Sequence, residues 1–379
     1  MRLLTGGESH GLAQCAILEG FPKGVEIDLD RINEELLRRQ KGYGRGGRMK
    51  IEADTITIVS GMRRGITLGS PIAMLVKNKD HTVFATSVDT LEALSVPRPA
   101  HADLAGFLKY NEPDMRNILE RASARETVMR VCAGSICKQF LDDFDITIAS
   151  FVVSIGPVSS TMQPSTMKEI VNKTSRSQIS AIDGTFEKKA IAEIDRAARR
   201  GDSLGGIIEV WAENVPPGLG SVMHYDRRLD TKIAAGIMSI PAIKGVEIGL
   251  GFEYARRRGS QTHDVIRPAR TKKSRFRRDT NNAGGIEGGM SNGETIIIRC
   301  AMKPISTLGH PLDSVDVLTK HKKKAPPVRS DVCAVSACGV VAESMLALVL
   351  TESFLEKFGS DTQKEITQNY QQYLRRIIK

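Results

Sequence analysis

A mixed α/β fold, organised as one domain of two pseudo-equivalent halves at about 1–143 and 144–358, is what this sequence predicts, and three observations predict it. Runs of strand period alternate with runs of helix period along the chain. LEGFPKG at 18–24 leads into an Asp-led helix and AENVPPG at 212–218 does the same, so strand, Glu, Pro-containing turn, linker and helix occur twice in one order. A length of 379 residues with 41% hydrophobic side chains is enough for a sizeable core.

Taken in order, residues 1–20 read as a short strand, the turn GGESHG and a second apolar strand over 13–18. Asp28 or Asp30 caps a helix to about Arg39, with Leu29, Ile32 and Leu36 on its inner face. KGYGRGGRM at 41–49 holds four glycines beside Arg45 and Arg48, with Arg39 at its entrance. Such a loop lets backbone approach a ligand closely, although a solvated hairpin tip has the same composition. Strand-like runs follow at 54–60 and 71–76, then RPAHAD at 98–103, where His101 adjoins Arg98 and Asp103.

The second set begins with a strand near 145–154, a polar excursion over 159–185, a helix near 187–200 and a strand at 206–212. A helix from about 226 to 238 buries Leu229, Ile233 and Ile237. SIPAIKGVEIGLGF at 239–252 is a turn and a strand, and NNAGGIEGGMSNGE at 281–294 suits a backbone cradle for a phosphate or a flat ring. The strand 295–302 ends at KPISTL, where Lys303, Ser306 and Thr307 offer phosphate donors. RSD at 329–331 sets Arg329 and Asp331 on one side of an extended segment. A helix over 334–358 and a polar C-terminal helix close the chain.

The densest chemistry lies in RNILERASARET at 116–127. Ser123 followed by Glu126 is a capping box, so a helix should start at Ser123 and run to about Leu141. Arg121 and Arg125 would stand beside the positive end of its dipole, a seat for phosphate or carboxylate. An ordinary capped surface helix would read the same from these twelve residues.

A net charge of +10 and a pI near 9.3 call for anionic partners, which could be nucleic acid, a membrane surface or small phosphorylated metabolites. The basic run RPARTKKSRFRR from Arg267 to Arg278 is the best nucleic-acid feature, but it has one aromatic, Phe276, and no groove-reading helical period. It reads as a loop closing over an anionic site. No signal peptide opens the chain, and the apolar stretch 332–350 carries Glu343, so a cytoplasmic protein without a membrane span is expected. The six cysteines lack CxxC spacing and neighbouring histidines, so reduced, buried thiols and no metal are expected. Gly7–Gly11 fits the G-x-S-x-G elbow of serine hydrolases around Ser9, yet the residues after it, AQCAILEG, read as a strand where an elbow needs a helix. His10, on this glycine-flanked turn, is better placed to act as an acid.

GESHG, GYGRGGRM, RPAHAD, ERASARET, SIPAIKGVEIG, GGIEGGMSNG, KPISTL and RSD, in this order and spacing, resemble the motifs of chorismate synthases across nearly the whole chain. The resemblance implies one α/β domain with helices sandwiched between antiparallel sheets of two related halves, assembled as a homotetramer. It implies a shikimate-pathway lyase of aromatic amino acid biosynthesis, acting on a carbon–oxygen bond to phosphate. The reaction converts 5-enolpyruvylshikimate 3-phosphate to chorismate and phosphate by 1,4-anti elimination and requires reduced FMN. By matching position, Arg39, Arg45, Arg48, Arg125 and Arg329 meet the substrate's carboxylates and phosphate, where guanidinium forks serve better than lysine. The FMN site would take Arg121, Ala122, Ser123, Pro241, Ala242, Gly288, the segment Lys303, Pro304, Ile305, Ser306 and Thr307, and Arg329. His10 and His101 match the family's acids, near the leaving phosphate and the flavin respectively, and Asp331 the base that acts through flavin N5.

Three positions depart from the family pattern. Ala122 replaces a serine, Pro241 replaces an asparagine, and Ala100 stands where glycine precedes the histidine, so a positive φ there would be strained. The region 77–97 is also shorter than in many relatives. No G-x-G-x-x-G fingerprint follows a strand, so NADPH enters only as an indirect source of electrons, through a separate flavin reductase.

Overall fold

The computed structural model describes residues 1–47, 54–79, 81, 92–269, 275–327 and 331–378. In chain order its first segment holds β1 (Arg2–Gly6), β2 (Ala13–Glu19), α1 (Leu29–Gln40), β3 (Ile56–Ser60), β4 (Met62–Arg63), β5 (Ile66–Thr67), β6 (Ile72–Lys77), α2 (Asp103–Tyr110), α3 (Arg116–Ala122) and α4 (Thr127–Asp142). The second opens with β7 (Thr147–Ile155), β8 (Val158–Ser159), α5 (Met167–Thr174), α6 (Gly184–Arg199), β9 (Gly206–Glu213), α7 (Leu229–Met238) and β10 (Ile243–Ile248). It continues with β11 (Ile266–Pro268), β12 (Phe276–Arg278), β13 (Ile286–Glu287), β14 (Met290–Ser291), β15 (Ile296–Met302), β16 (Asp313–Val315), β17 (Lys322–Lys324), α8 (Val335–Phe358) and α9 (Gln363–Ile378).

The main strands form two antiparallel sheets, ordered β1-β2-β6-β3 and β8-β7-β9-β15-β10. Each arises from period-two alternation: Ile72, Met74 and Val76 of β6 turn inward, as do Ile296, Ile298, Cys300 and Met302 of β15. Setting the short β8 aside, both sheets run first, second, fourth, third main strand in their own segment. Helix α4 packs on β2 and β6, α8 packs on β7 and β9, and the two helices pack on each other. A Cβ on Gly134 of α4 would lie 2.3 Å from Ser344 Cβ of α8, so the crossing brings the helices into close contact. One apolar cluster runs from Ala16 to Ile366 through both sheets.

Local signals explain most boundaries. Asp28 caps α1 by accepting from Asp30 N at 2.8 Å, and Ile32 and Leu36 are buried. Leu29 is a correction: in the first turn it stays 38% exposed. The polar excursion at 159–185 in fact contains α5, capped by Thr166, with Met167 and Ile170 packed beside Phe151. Cys15 is exposed because its strand faces it outward; the other five cysteines are buried. Helix α8 is long and apolar enough to cross a membrane, yet 83% of its most apolar window is buried inside the protein.

Glu343 sits fully buried on α8 and gathers charge from three other elements. Arg38 donates to it at 2.9 and 3.0 Å, Lys138 also contacts it, and the amide and hydroxyl of Ser150 donate at 2.9 and 2.6 Å. Burial alone would raise this carboxyl, but the charges of Arg38 and then Lys138 outweigh it and bring it from 4.5 down to about 2. A carboxylate depressed in the folded state supplies stability above its unfolded value, which is lost as pH falls through the folded one. Glu343→Gln should therefore lower the unfolding free energy at pH 7 by about 3–5 kcal/mol. Denaturant titrations should show the gap between wild type and variant narrowing as pH drops from 4.5 toward about 2.

Candidate functional site

Strands β1 and β2 pair up to Gly6↔Cys15, so Gly7–Leu12 is a hairpin turn. Gly7 takes φ +111°, where a Cβ would come 2.5 Å from the Ala13 carbonyl. Ser9 leads into a strand of the same hairpin, so the strand–serine–helix geometry of a hydrolase elbow is not formed here. Its buried hydroxyl lies 3.1 Å from that of Ser123, and its amide donates to the Glu120 carbonyl at 3.1 Å. His10 donates from its amide to Glu120 Oε2 at 2.7 Å, and its Nδ1 lies 2.8 Å from Oε1. The His10 side chain is 41% exposed while Glu120 is buried.

The helix expected at Ser123 starts later. α3 ends at Ala122, Ser123 is extended, a single 3₁₀ turn covers Ala124–Glu126, and α4 begins at Thr127. The expected capping box does not form: Ser123 Oγ accepts from Arg125 N at 3.3 Å, while Glu126 N goes to the Ser123 carbonyl at 3.3 Å. The Glu126 carboxylate goes instead to Thr5 Oγ1 at 3.0 Å and to Arg130 at 3.0 Å, because a charged partner one turn on outcompetes a backbone amide.

This 3₁₀ turn separates the two arginines that should have stood together. Arg121 is exposed and reaches Thr5 on β1 at 2.8 Å, whereas Arg125 turns into the protein. There it donates to Asn78 Oδ1 at 2.8 Å and to both oxygens of Asp54 at 2.7 and 2.9 Å. Arg39 joins them: Nη1 stands 3.6 Å from Asp54, Nε donates to Thr127 Oγ1 at 3.0 Å and Nη2 to the Ala124 carbonyl at 3.0 Å. Burial pushes the Arg39 guanidinium down to about 10, only partly offset by Asp54 and reinforced by the charges of Arg45 and Arg125. Among the described residues its buried Nη1 has no hydrogen-bond partner.

Arg45 lies 3.2 Å from Asp331, whose other oxygen accepts from Gly46 N at 2.5 Å. Arg48 and Arg329 lie outside the described residues. At 98–103, the buried Asp103 carboxylate takes Arg98 Nε at 2.8 Å and His101 Nδ1 at 2.5 Å. Burial would raise Asp103, but the bonds from His101 and then Arg98 hold it well below the usual carboxylate range. Ala100 has φ +63°, the strained angle expected, and its carbonyl accepts from Lys303 Nζ. Lys303 N donates to Ala242 O at 2.9 Å, and Ala242, beside Pro241, is also left-handed at +72°. Ser203 Oγ fixes the Ile305 carbonyl at 2.6 Å; Ser306 and Thr307 are half-buried and Pro304 is exposed. Gly288 lies on the β13–β14 turn with Val222 as its side-chain neighbour. Ala122 is half-buried at the end of α3.

Asp54, Asn78, Glu120 and Ser203 were not singled out in the sequence. Glu120 lies within the ERASARET motif, but its role, like that of the other three, arises from contacts over many residues, such as 71 between Asp54 and Arg125.

Among the described residues, the guanidinium groups of Arg39, Arg45 and Arg125 stand over two carboxylates, Asp54 and Asp331, an arrangement chemically suited to anions. A family model described as chorismate synthase matches residues 1–355. The chain is 50% identical over 378 residues to chorismate synthase of Alkaliphilus metalliredigens, covering 98% of this chain and 99% of that one. It is 52% identical over 393 residues to chorismate synthase of a Sulfurihydrogenibium species, covering 100% and 99%. A crystal structure of chorismate synthase matches with a TM-score of 0.81 at 42% identity, over 100% of this chain and 98% of that one. The chain belongs to the chorismate synthase family.

Ala100→Gly should stabilise the protein by roughly 0.5–1 kcal/mol, the left-handed penalty of about 1–2 kcal/mol less glycine's added chain entropy. A melting temperature below that of wild type would contradict the strain reading.

Proposed function

We propose that this protein is the shikimate-pathway lyase its family membership points to, converting 5-enolpyruvylshikimate 3-phosphate to chorismate and phosphate by 1,4-anti elimination with reduced FMN. The observation that carries this reading is the surplus of positive charge at Asp54: two buried guanidinium groups on one carboxylate, with Arg39 Nη1 lacking a hydrogen-bond partner among the described residues. A substrate with two carboxylates and a phosphate supplies the missing acceptors. Arg39, Arg45 and Arg125 would bind it, with Arg48 and Arg329 assigned by family position.

The donor set also fits a phosphate-bearing flavin. Lys303, Ser306, Thr307 and Ser123 are cationic or hydroxyl donors at half-buried positions, and the Ala242 turn is bonded to Lys303. Pro304, Ile305, Pro241, Ala122, Arg121, Gly288 and Arg329 complete the assignment by family position. When bound, reduced FMN supplies electron density to the breaking carbon–oxygen bond. His10 gives a proton to the departing phosphate, and His101, held by Asp103, holds one on the cofactor side. Asp331, fixed by Gly46 N–H and Arg45, accepts a proton at a carboxylate oxygen.

The same reading covers the assembly. Matching strand order in the two sheets supports 1–143 and 144–358 as related halves of one sandwich-like domain. A cytoplasmic homotetramer, fed reduced flavin by a separate reductase and without a nucleic-acid partner, follows from the family. In support, Arg267 and Arg277 share Asp279 at 2.9 and 3.1 Å on the β11–β12 hairpin and Arg278 pairs with Glu287, which reduces their hold on phosphates.

The test is anaerobic chorismate formation from the substrate with dithionite-reduced FMN. Absence of product, with ester hydrolysis abolished by Ser9→Ala, would favour a hydrolase instead. Replacing dithionite with NADPH and oxidised FMN should give no turnover. In the complete assay Asp331→Asn should reduce kcat by roughly 10² or more while FMN and substrate still bind; near wild-type kcat would remove Asp331 from the role of base.

A further inference from the structure

We propose that Glu120 is the positioning residue for His10, a two-point clamp that sets both the direction and the tautomer of the imidazole. The inference rests on the reading that His10 delivers a proton to the departing phosphate. Glu120 lies in the last turn of α3, buried, and its two oxygens accept from two different N–H groups of one residue: the His10 amide at 2.7 Å and Nδ1 at 2.8 Å. A carboxylate can only accept, so Nδ1 carries a proton in this contact in both ring forms, and the proton the imidazolium gives up to a ligand is the one on Nε2. The Glu120 carbonyl takes a third bond, from Ser9 N at 3.1 Å, which ties the hairpin turn to the end of α3.

Two features argue for a positioning role over simple packing. The turn carrying His10 is flanked by glycines, which define backbone path but do not orient a half-exposed ring. And His101, on a different element, also has Nδ1 at 2.5 Å from a buried carboxylate, Asp103, with Arg98 Nη2 3.0 Å from the same nitrogen. Both histidines assigned as acids thus present Nδ1 to a buried carboxylate, the logic by which a carboxylate fixes an imidazole for proton transfer.

The clamp requires a carboxylate. An amide in its place must turn its NH2 toward one of the two donors, so Glu120→Gln loses one contact at nearly constant volume. In the full-length enzyme with reduced FMN, this variant should lose about 10²-fold in kcat with little change in substrate KM. In a His10→Gln background the same change should cost nothing further, because Glu120 acts through His10. Glu120→Asp, which keeps the carboxylate, should recover part of the activity and covers the case in which the amide variant folds poorly. Histidine-selective ¹⁵N NMR, assigned with His10→Gln, should find the neutral form of His10 as the Nδ1–H tautomer in wild type and as a mixture in Glu120→Gln. Additive losses in the double variant, unchanged kcat in Glu120→Gln, or an Nε2–H tautomer in wild type would each overturn the clamp. A wild-type enzyme without turnover but with the expected NMR pattern would instead overturn the catalytic role of His10 and leave the clamp as geometry alone.

Discussion

Asp54 places one negative charge between two guanidinium groups that are both nearly closed off from water. Taking an ion out of water costs several kcal/mol, so neither Arg39 nor Arg125 could be kept there without it. Among the described residues, the trio of Arg39, Arg125 and Asp54 carries a surplus positive charge. Arg45 adds another charge that depresses Arg39 further, and Arg45 itself pairs with Asp331. A bound anion would relieve such a surplus. Binding energy at such a site comes from completing the electrostatics of a preformed cluster, with little side-chain ordering left to do.

What holds the cluster in register is close backbone approach. Gly44 has φ +87°, and a Cβ there would lie 2.9 Å from Ile194 and 3.2 Å from Cys333. Its carbonyl takes Val332 N at 2.8 Å, and the Val332 carbonyl takes Leu204 N at 2.8 Å. The basic loop is thereby joined to the segment before α8, which brings Arg45 to Asp331. Ser203, next to Leu204, then fixes the Ile305 carbonyl, so the Lys303–Thr307 turn belongs to the same framework.

The regular elements were legible because their patterns are local. Ile32 and Leu36 at helical spacing gave α1, and Ile296, Ile298 and Cys300 at period two gave β15. Short helices such as α2 and α5, eight residues each, offer too few turns for a period to stand out. Among site residues, His10, His101, Arg39, Arg45, Arg125 and Asp331 could be named from motifs. Their partners could not. Whether Glu126 closes a capping box or turns to Thr5 and Arg130 is decided by what β1 brings alongside, and that is tertiary information. Arg121 and Arg125 look equivalent on paper, yet one 3₁₀ turn between α3 and α4 sends them to opposite surroundings.

The crossing of the two long helices sets how rigid this arrangement is. Arg125 and Thr127 stand at the entrance to α4, and Asp331 stands just ahead of α8, while the helices touch at Gly134 and Ser344. At 1.5 Å per residue, Thr127 is about 10 Å along α4 from that contact and Val335 about 14 Å along α8. A small rotation at the crossing would be magnified over those lever arms and would separate the Asp54 cluster from the Arg45–Asp331 pair. Close packing at Gly134 removes sliding freedom, and the Glu343 network with Arg38, Lys138 and Ser150 removes rotation, since any turn of α8 breaks bonds to three elements at once. Arg38 is also the immediate neighbour of Arg39. The carboxylate that fixes the crossing, Glu343, and the one that pairs the buried arginines, Asp54, thus act on consecutive residues of α1, and the helix crossing and the charged cluster are coupled through a single helical turn.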